Sequence, residues 1–108
     1  MNFHAFTYGT AIYGGQVHKF EHVEGVTEII YDYVQEGIRV QGSFTGEDRG
    51  DKIVGAWKEQ SAKPLNGRTN WQGSATLDVA EHNGRRLVFG VWTSGRDTGR
   101  WTLDIAAA

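Results

Sequence analysis

The sequence predicts an all-β protein, an eight-stranded antiparallel up-and-down β-barrel, and three observations predict it. One phrase is written twice, GSFTGEDRGDKIVGAW over 42–57 and GSATLDVAEHNGRRLVFGVW over 73–92. Each copy runs Gly-Ser, alternating strand, polar turn, second strand and Gly-x-Trp, the pattern of a β-hairpin. Fifteen glycines against one proline punctuate the chain, and no apolar period near 3.6 residues is sustained. Hairpins traced in order give about eight strands, a number at which a meander can close around one small ligand. A two-sheet β-sandwich with the same meander is the alternative.

The totals bound the function classes. With 108 residues the chain makes one domain over 1–108, and 39% hydrophobic and 12% aromatic residues can build its core. Eleven basic residues against 13 acidic ones leave a formal net charge of -2, which gives no electrostatic footprint for nucleic acid or an acidic membrane surface. The absence of cysteine excludes disulfides, thiolate chemistry and cysteine-ligated metals. No motif implies a cofactor. The opening MNFHAFTYGTAIYGG has no basic n-region or continuous apolar run, and no stretch is long enough to span a bilayer, so a soluble, cytoplasmic protein is expected. A mature secreted chain expressed without its leader would read the same.

Taken in order, the first strand is expected over Phe3 to Tyr13, with Gly14-Gly15 as a tight turn and Gln16 to Glu24 returning. That turn sets Ala11 opposite His18, Gly9 opposite Phe20 and Thr7 opposite His22. Glu24-Gly25 then pairs Phe20 with Ile29 and His18 with Tyr31. Glu36-Gly37 pairs Tyr33 with Val40, Tyr31 with Gly42 and Ile29 with Phe44. Symmetric pairing across the charged loop Gly46 to Asp51 sets Phe44 against Ile53, Gly42 against Gly55 and Val40 against Trp57. One face thus collects Phe20, Ile29, Tyr31, Tyr33, Val40, Phe44, Ile53 and Trp57, and the other collects residues such as Lys19, Glu28, Asp32 and Arg39. A one-residue slip would exchange the two sets, so their clean division supports the register. Ser61 to Arg68 contains the proline and reads as an irregular connection. Asn83-Gly84 is the strongest hairpin signal, pairing Val79 with Val88, Leu77 with Gly90 and Ala75 with Trp92. A last reversal through SGRDTG sets Trp92 against Trp101, Gly90 against Leu103 and Val88 against Ile105.

The inferred inner face carries Gln16, His18, His22, Thr27, Tyr31 and Tyr33, too polar a set for a plain core. One layer holds Gly55, Gly42, Tyr31, His18 and Ala11, whose small members leave volume beside the Tyr31 hydroxyl and the His18 ring. Polar groups converging on a gap between aromatic walls describe a small-molecule site. The plain structural alternative is a buried His18–Tyr31 hydrogen bond that stabilises one register. Trp57 and Trp71 fall near strand ends, where a cavity mouth would lie, whereas Trp92 and Trp101 read as core.

Other features read as surface. His18 and His22, four apart on a strand, stand roughly 13 Å apart and cannot share one metal ion, so no metal site is expected. Asp78 and Asp104 flank Phe89 on the outer face and read as solvated carboxylates, and Arg49-Gly50-Asp51 reads as a charged hairpin tip. Leu87, Phe89 and Val91 form an outer apolar row that points to a homo-oligomer, a dimer or a tetramer.

The segments VGAWKEQ, TNWQGSATL, VWTSG and GRWTLDI resemble the second half of avidin and streptavidin, small members of the calycin barrels, in which Trp-bearing strands in this order wall the biotin cavity. The resemblance covers about half the chain. It implies a calycin-like barrel and a tryptophan-walled cavity.

Three functional readings follow. In the first, the barrel binds a small, partly apolar molecule, with Trp57, Trp71 and Tyr33 packing on it and Tyr31, His18 and Gln16 fixing its polar end. In the second, the same cavity houses an isomerase, cyclase or lyase, with His18 as general base or acid and Tyr31 donating to a developing oxyanion. Nothing in the sequence compels turnover. The third is a structural or interaction protein with a filled core and no cavity.

Overall fold

The computed structural model describes residues 2–106. Eight strands follow one another: β1 (Phe3–Tyr8), β2 (Ala11–Val23), β3 (Val26–Gln35), β4 (Ile38–Arg49), β5 (Lys52–Leu65), β6 (Arg68–His82), β7 (Arg85–Ser94) and β8 (Asp97–Ala106). Each pairs antiparallel with the next and β1 pairs with β8, so the sheet is a closed barrel. Closure removes the sandwich alternative and leaves the sheet without free edges. No helix among the described residues is long and apolar enough to cross a membrane.

Two-residue turns set the register throughout. Glu24-Gly25, Glu36-Gly37, Asn66-Gly67 and Asn83-Gly84 have positive φ at both residues, the type I′ pattern that matches the twist of the flanking strands. Gly9, Gly50 and Gly95 have positive φ at the first turn position only, the II′ pattern. The pairings expected across Glu36-Gly37 and Asn83-Gly84 are present as read, as is Phe20 with Ile29.

Five expectations need correction. The first reversal is at Gly9-Thr10, and Gly14 and Gly15 lie inside β2, facing Ala5 and His4. Across β4 and β5 the turn is Gly50-Asp51, so Phe44 faces Trp57 rather than Ile53, and Gly46 rather than Gly42 faces Gly55. In the last hairpin Trp92 faces Gly99 and Gly90 faces Trp101. Both slips move partners by an even number of residues, so no side chain changes face. The segment 61–68 is mostly strand, with a register shift between Gln60 and Leu65 and the turn at Asn66-Gly67.

The fifth correction changes faces within β2. Val17 pairs with Tyr31 and Lys19 with Ile30, so His18 is the extra residue of a β-bulge. Before the bulge the inward residues of β2 are Tyr13, Gly15 and Val17, and after it the parity switches to Phe20. Gln16 and His18, expected inside, are therefore exposed, and His18 pairs with Asp32 at 3.0 Å on the outer surface.

The end of the barrel holding the Glu24-Gly25, Gly50-Asp51 and Asn83-Gly84 turns is plugged by apolar side chains. Ile29, Phe44, Leu77, Val88, Leu103 and Ile105 are at most 3% exposed there. Thr27 is buried beside them. On the outside, Leu87, Phe89 and Val91 stand 37–43% exposed. Ion pairs between Lys52 and Asp78 and between Arg85 and Asp104 flank that row and account for both aspartates.

His4 ties the closing seam. The β1–β8 ladder spans four residue pairs, from Phe3 opposite Asp104 to Phe6 opposite Trp101. Within it His4 turns inward, 3% exposed, donates from Nε2 to the Asp32 carbonyl at 2.7 Å and accepts from Trp101 Nε1 at 3.1 Å on Nδ1. It crosses β2 where Gly15 has no side chain; a Cβ there would collide with the Asp32 carbonyl. Beyond the ladder, Trp92 Nε1 reaches the Thr7 carbonyl at 3.0 Å and the Arg100 N–H donates to Thr7 Oγ1 at 2.9 Å.

Both nitrogens of His4 are satisfied only in the neutral Nε2–H tautomer. Burial pushes the His4 pKa below its usual 6.5, opposed by the bond to the Asp32 carbonyl and the Asp32 charge. With a depressed folded-state pKa, the unfolded chain takes up a proton that the folded barrel refuses, so stability is full above the ordinary value and lost as pH falls. Urea denaturation should therefore show an acid limb below about pH 6.5 that His4→Gln, a non-titrating donor and acceptor, flattens. His4→Leu should cost about 1–3 kcal/mol at neutral pH by leaving the Trp101 N–H and the Asp32 carbonyl unpaired. An acid limb unchanged in His4→Gln would assign it to other groups.

Candidate functional site

Opposite the plugged end, at the turns Gly9-Thr10, Glu36-Gly37, Asn66-Gly67 and Gly95-Arg96, the lumen opens as a cavity of about 260 Å³. At about 30 Å³ per water that is room for roughly nine waters, hence for a small molecule. The walls are aromatic because wide rings from one strand lie over glycines of the next. A Cβ on Gly73 would lie 2.5 Å from Trp57 Cζ2, and one on Gly99 2.5 Å from Trp92 Nε1. Tyr31 covers Gly42 in the same way. Trp57 thus lies over β6 and Trp92 over β8, a quarter-turn apart around an eight-stranded barrel, and their rings are 85° from coplanar. The Trp57 indole is fixed by a 3.1 Å bond to the Ser74 carbonyl.

The floor is polar. Glu59, on β5, points inward two residues after Trp57 and accepts a 2.7 Å bond from Tyr31 on one oxygen and a 2.7 Å bond from Tyr33 on the other. No basic side chain among the described residues forms an ion pair with it. Burial pushes the Glu59 pKa above the ordinary carboxylate range, and the two phenol donors oppose that shift by stabilising the anion. Burial, followed by the nearby Glu59 charge, raises both tyrosines above their usual value, so each remains a neutral donor. At the rim, Tyr8 donates to Asp97 at 3.3 Å and stacks on Trp92, and Arg68 lines the opening.

Of the residues singled out from the sequence, Tyr31, Tyr33, Trp57 and Trp71 line this cavity. Gln16 and His18 do not, because the bulge rotates them outward. His22 is at the surface, bonded to Asp48 at 3.0 Å. Trp92 and Trp101, read as core, are buried and also line the cavity. Glu59 and His4 were missed. Glu59 carries a usable signal, since period two places it on the face of Trp57; His4 was obscured when Gly14-Gly15 was read as the turn. His18 and Tyr31, the expected acid–base pair, lie on opposite sides of the sheet. No group of three His, Asp or Glu side chains among the described residues could hold a metal ion.

No protein-family model matches the chain, and neither a curated protein nor a solved structure does. The closed eight-stranded antiparallel barrel is compatible with a calycin-like architecture.

Because the folded state raises the Glu59 pKa above the unfolded value near 4.5, the native barrel binds more protons than the unfolded chain between those values. Its contribution is full below the ordinary value and declines as pH rises through the raised one. Glu59→Gln should therefore gain stability relative to the wild type as the pH of a urea titration moves from about 4 to about 8. A constant difference between the two proteins across that range would show that the Glu59 charge carries no such penalty.

Proposed function

We propose that this protein binds a small, partly apolar molecule inside the open end of its barrel. The observation that carries the reading is a 260 Å³ cavity, walled by aromatic rings and floored by one hydrogen-bonded carboxylate. Apolar walls with a few converging polar groups are the usual make-up of a ligand site. Tyr33, Trp57 and Trp71 keep the packing role expected of them. Glu59, held by Tyr31 and Tyr33, takes the orienting role expected of His18 and Gln16. The likeness to avidin and streptavidin supports the reading through its four tryptophans, Trp57, Trp71, Trp92 and Trp101, all of which line the cavity. A filled-core interaction protein would have no such space, and catalysis by a His18–Tyr31 pair has no geometry to support it.

A small-molecule library screened by tryptophan fluorescence and thermal shift should give saturable hits. Trp71→Ala should weaken them about twofold to tenfold, the worth of one aromatic contact of about 0.5–1.5 kcal/mol. His18→Ala, on the outside, should leave them unchanged. Hits weakened by His18→Ala and indifferent to Trp71→Ala would move the site to the outer wall, and a library without hits would remove the reading.

The reading includes self-association through the outer row Leu87, Phe89 and Val91. Sedimentation should give a dimer or tetramer that Phe89→Glu dissociates; a wild-type monomer would refute it.

A further inference from the structure

A carboxylate buried without a counter-charge is costly. Glu59 is partly buried and has two phenol donors, and among the described residues no cation forms an ion pair with it. Replacing it with a leucine-sized residue would avoid the desolvation but strip two buried tyrosine hydroxyls of their acceptor, whereas a neutral amide would keep an acceptor there without the charge, so packing and hydrogen bonding alone do not call for an acid. Tyr31 and Tyr33 each use their one O–H on it, which favours the ionised over the protonated carboxyl. Each carboxylate oxygen retains a lone pair beyond its tyrosine bond. The walls of the same cavity are aromatic, with Tyr33, Trp57 and Trp71 among the lining rings. Aromatic faces carry negative potential and attract cations, with tryptophan the strongest of the rings. Carboxylate and ring faces therefore ask for the same thing from whatever enters: positive charge carried on an apolar body.

Resting on the ligand-binding reading above, we propose that the occupant of the cavity is a small organic monocation, a protonated amine or quaternary ammonium, whose charged nitrogen faces Glu59 among the aromatic rings that line the cavity. An inorganic cation does not fit, because the wall offers rings where a metal needs several oxygen ligands. Arg68 and Asp97, one charge of each sign, also line the cavity, so the choice of a cation over an anion rests on Glu59.

The test compares charged probes with uncharged isosteres by calorimetry on the wild-type protein: choline against its carbon isostere dimethylbutanol, and phenethylammonium against phenylethanol. At least one cation should bind about tenfold or more tightly than its isostere, a preference of about 1.4 kcal/mol or more. Glu59→Gln should reduce that preference to about twofold or less by weakening the cations more than their isosteres. The wild-type comparison needs no variant, so it stands even where Glu59→Gln folds poorly. Isosteres binding as well as the cations would overturn the charge inference and leave the ligand-binding cavity intact. Failure of both cations to bind would also overturn it, and only a further failure of the neutral library would remove the cavity reading as well.

Discussion

An eight-stranded barrel is barely wide enough for its own side chains, and this one keeps a lumen by laying its largest rings flat on neighbouring glycines. Were Gly42, Gly73 and Gly99 to carry side chains, Tyr31, Trp57 and Trp92 would have to stand up into the interior, and the cavity would be filled by the rings that now wall it. The consequences extend beyond volume. A ring pinned on its glycine is committed to the sheet, and each indole N–H is directed to a backbone carbonyl, Ser74 for Trp57 and Thr7 for Trp92. The orientation of the walls thus comes from backbone, not from the contents of the lumen.

The same Trp92 contact belongs to the second constraint, closure. β1 is short and its ladder with β8 stops at Phe6 and Trp101, so the seam is held beyond that point by side chains. His4 does the corresponding work inside, joining β8 to β3 across β2. It can do so because Gly15 lets it pass and because the Val17–His18 bulge returns the rest of β2 to the parity its neighbours need. A buried polar bridge of this kind costs little only when every partner is present. All three are: an indole donor, a carbonyl acceptor and a neutral imidazole between them.

The legible and illegible parts of the sequence divide along these lines. Strand number, the inward faces of β3 to β8 and the small-against-large pairing were readable because turn chemistry and period two are local, and errors in turn position shifted partners by even steps that preserve the faces. The bulge was not readable, since one extra residue in β2 has no compositional mark and His18 looks as suitable inside as outside. That single residue carried Gln16 and His18 out of the site, while the first turn, read at Gly14-Gly15 instead of Gly9-Thr10, hid His4. Glu59 failed for a different reason: a charged residue in a strand is ordinarily assigned to solvent, although its spacing from Trp57 assigned it inward. Whether a carboxylate can remain there depends on two tyrosines from β3, a contact that no local pattern displays.

The two ends of the barrel therefore solve opposite problems with one repeating pattern. At the plugged end the inward positions are Ile, Leu, Val and Phe, nearly without exposure, and burial of that surface supplies the cohesion. At the open end the same inward positions hold Tyr31, Tyr33, Trp57 and Glu59, which pack less completely and include a charge that folding alone disfavours. A sequence optimised for stability would extend the apolar plug upward. The rigid closed end is what lets the open end keep its carboxylate, because the tyrosines that hold Glu59 rise from the same strand, β3, that contributes Ile29 to the plug.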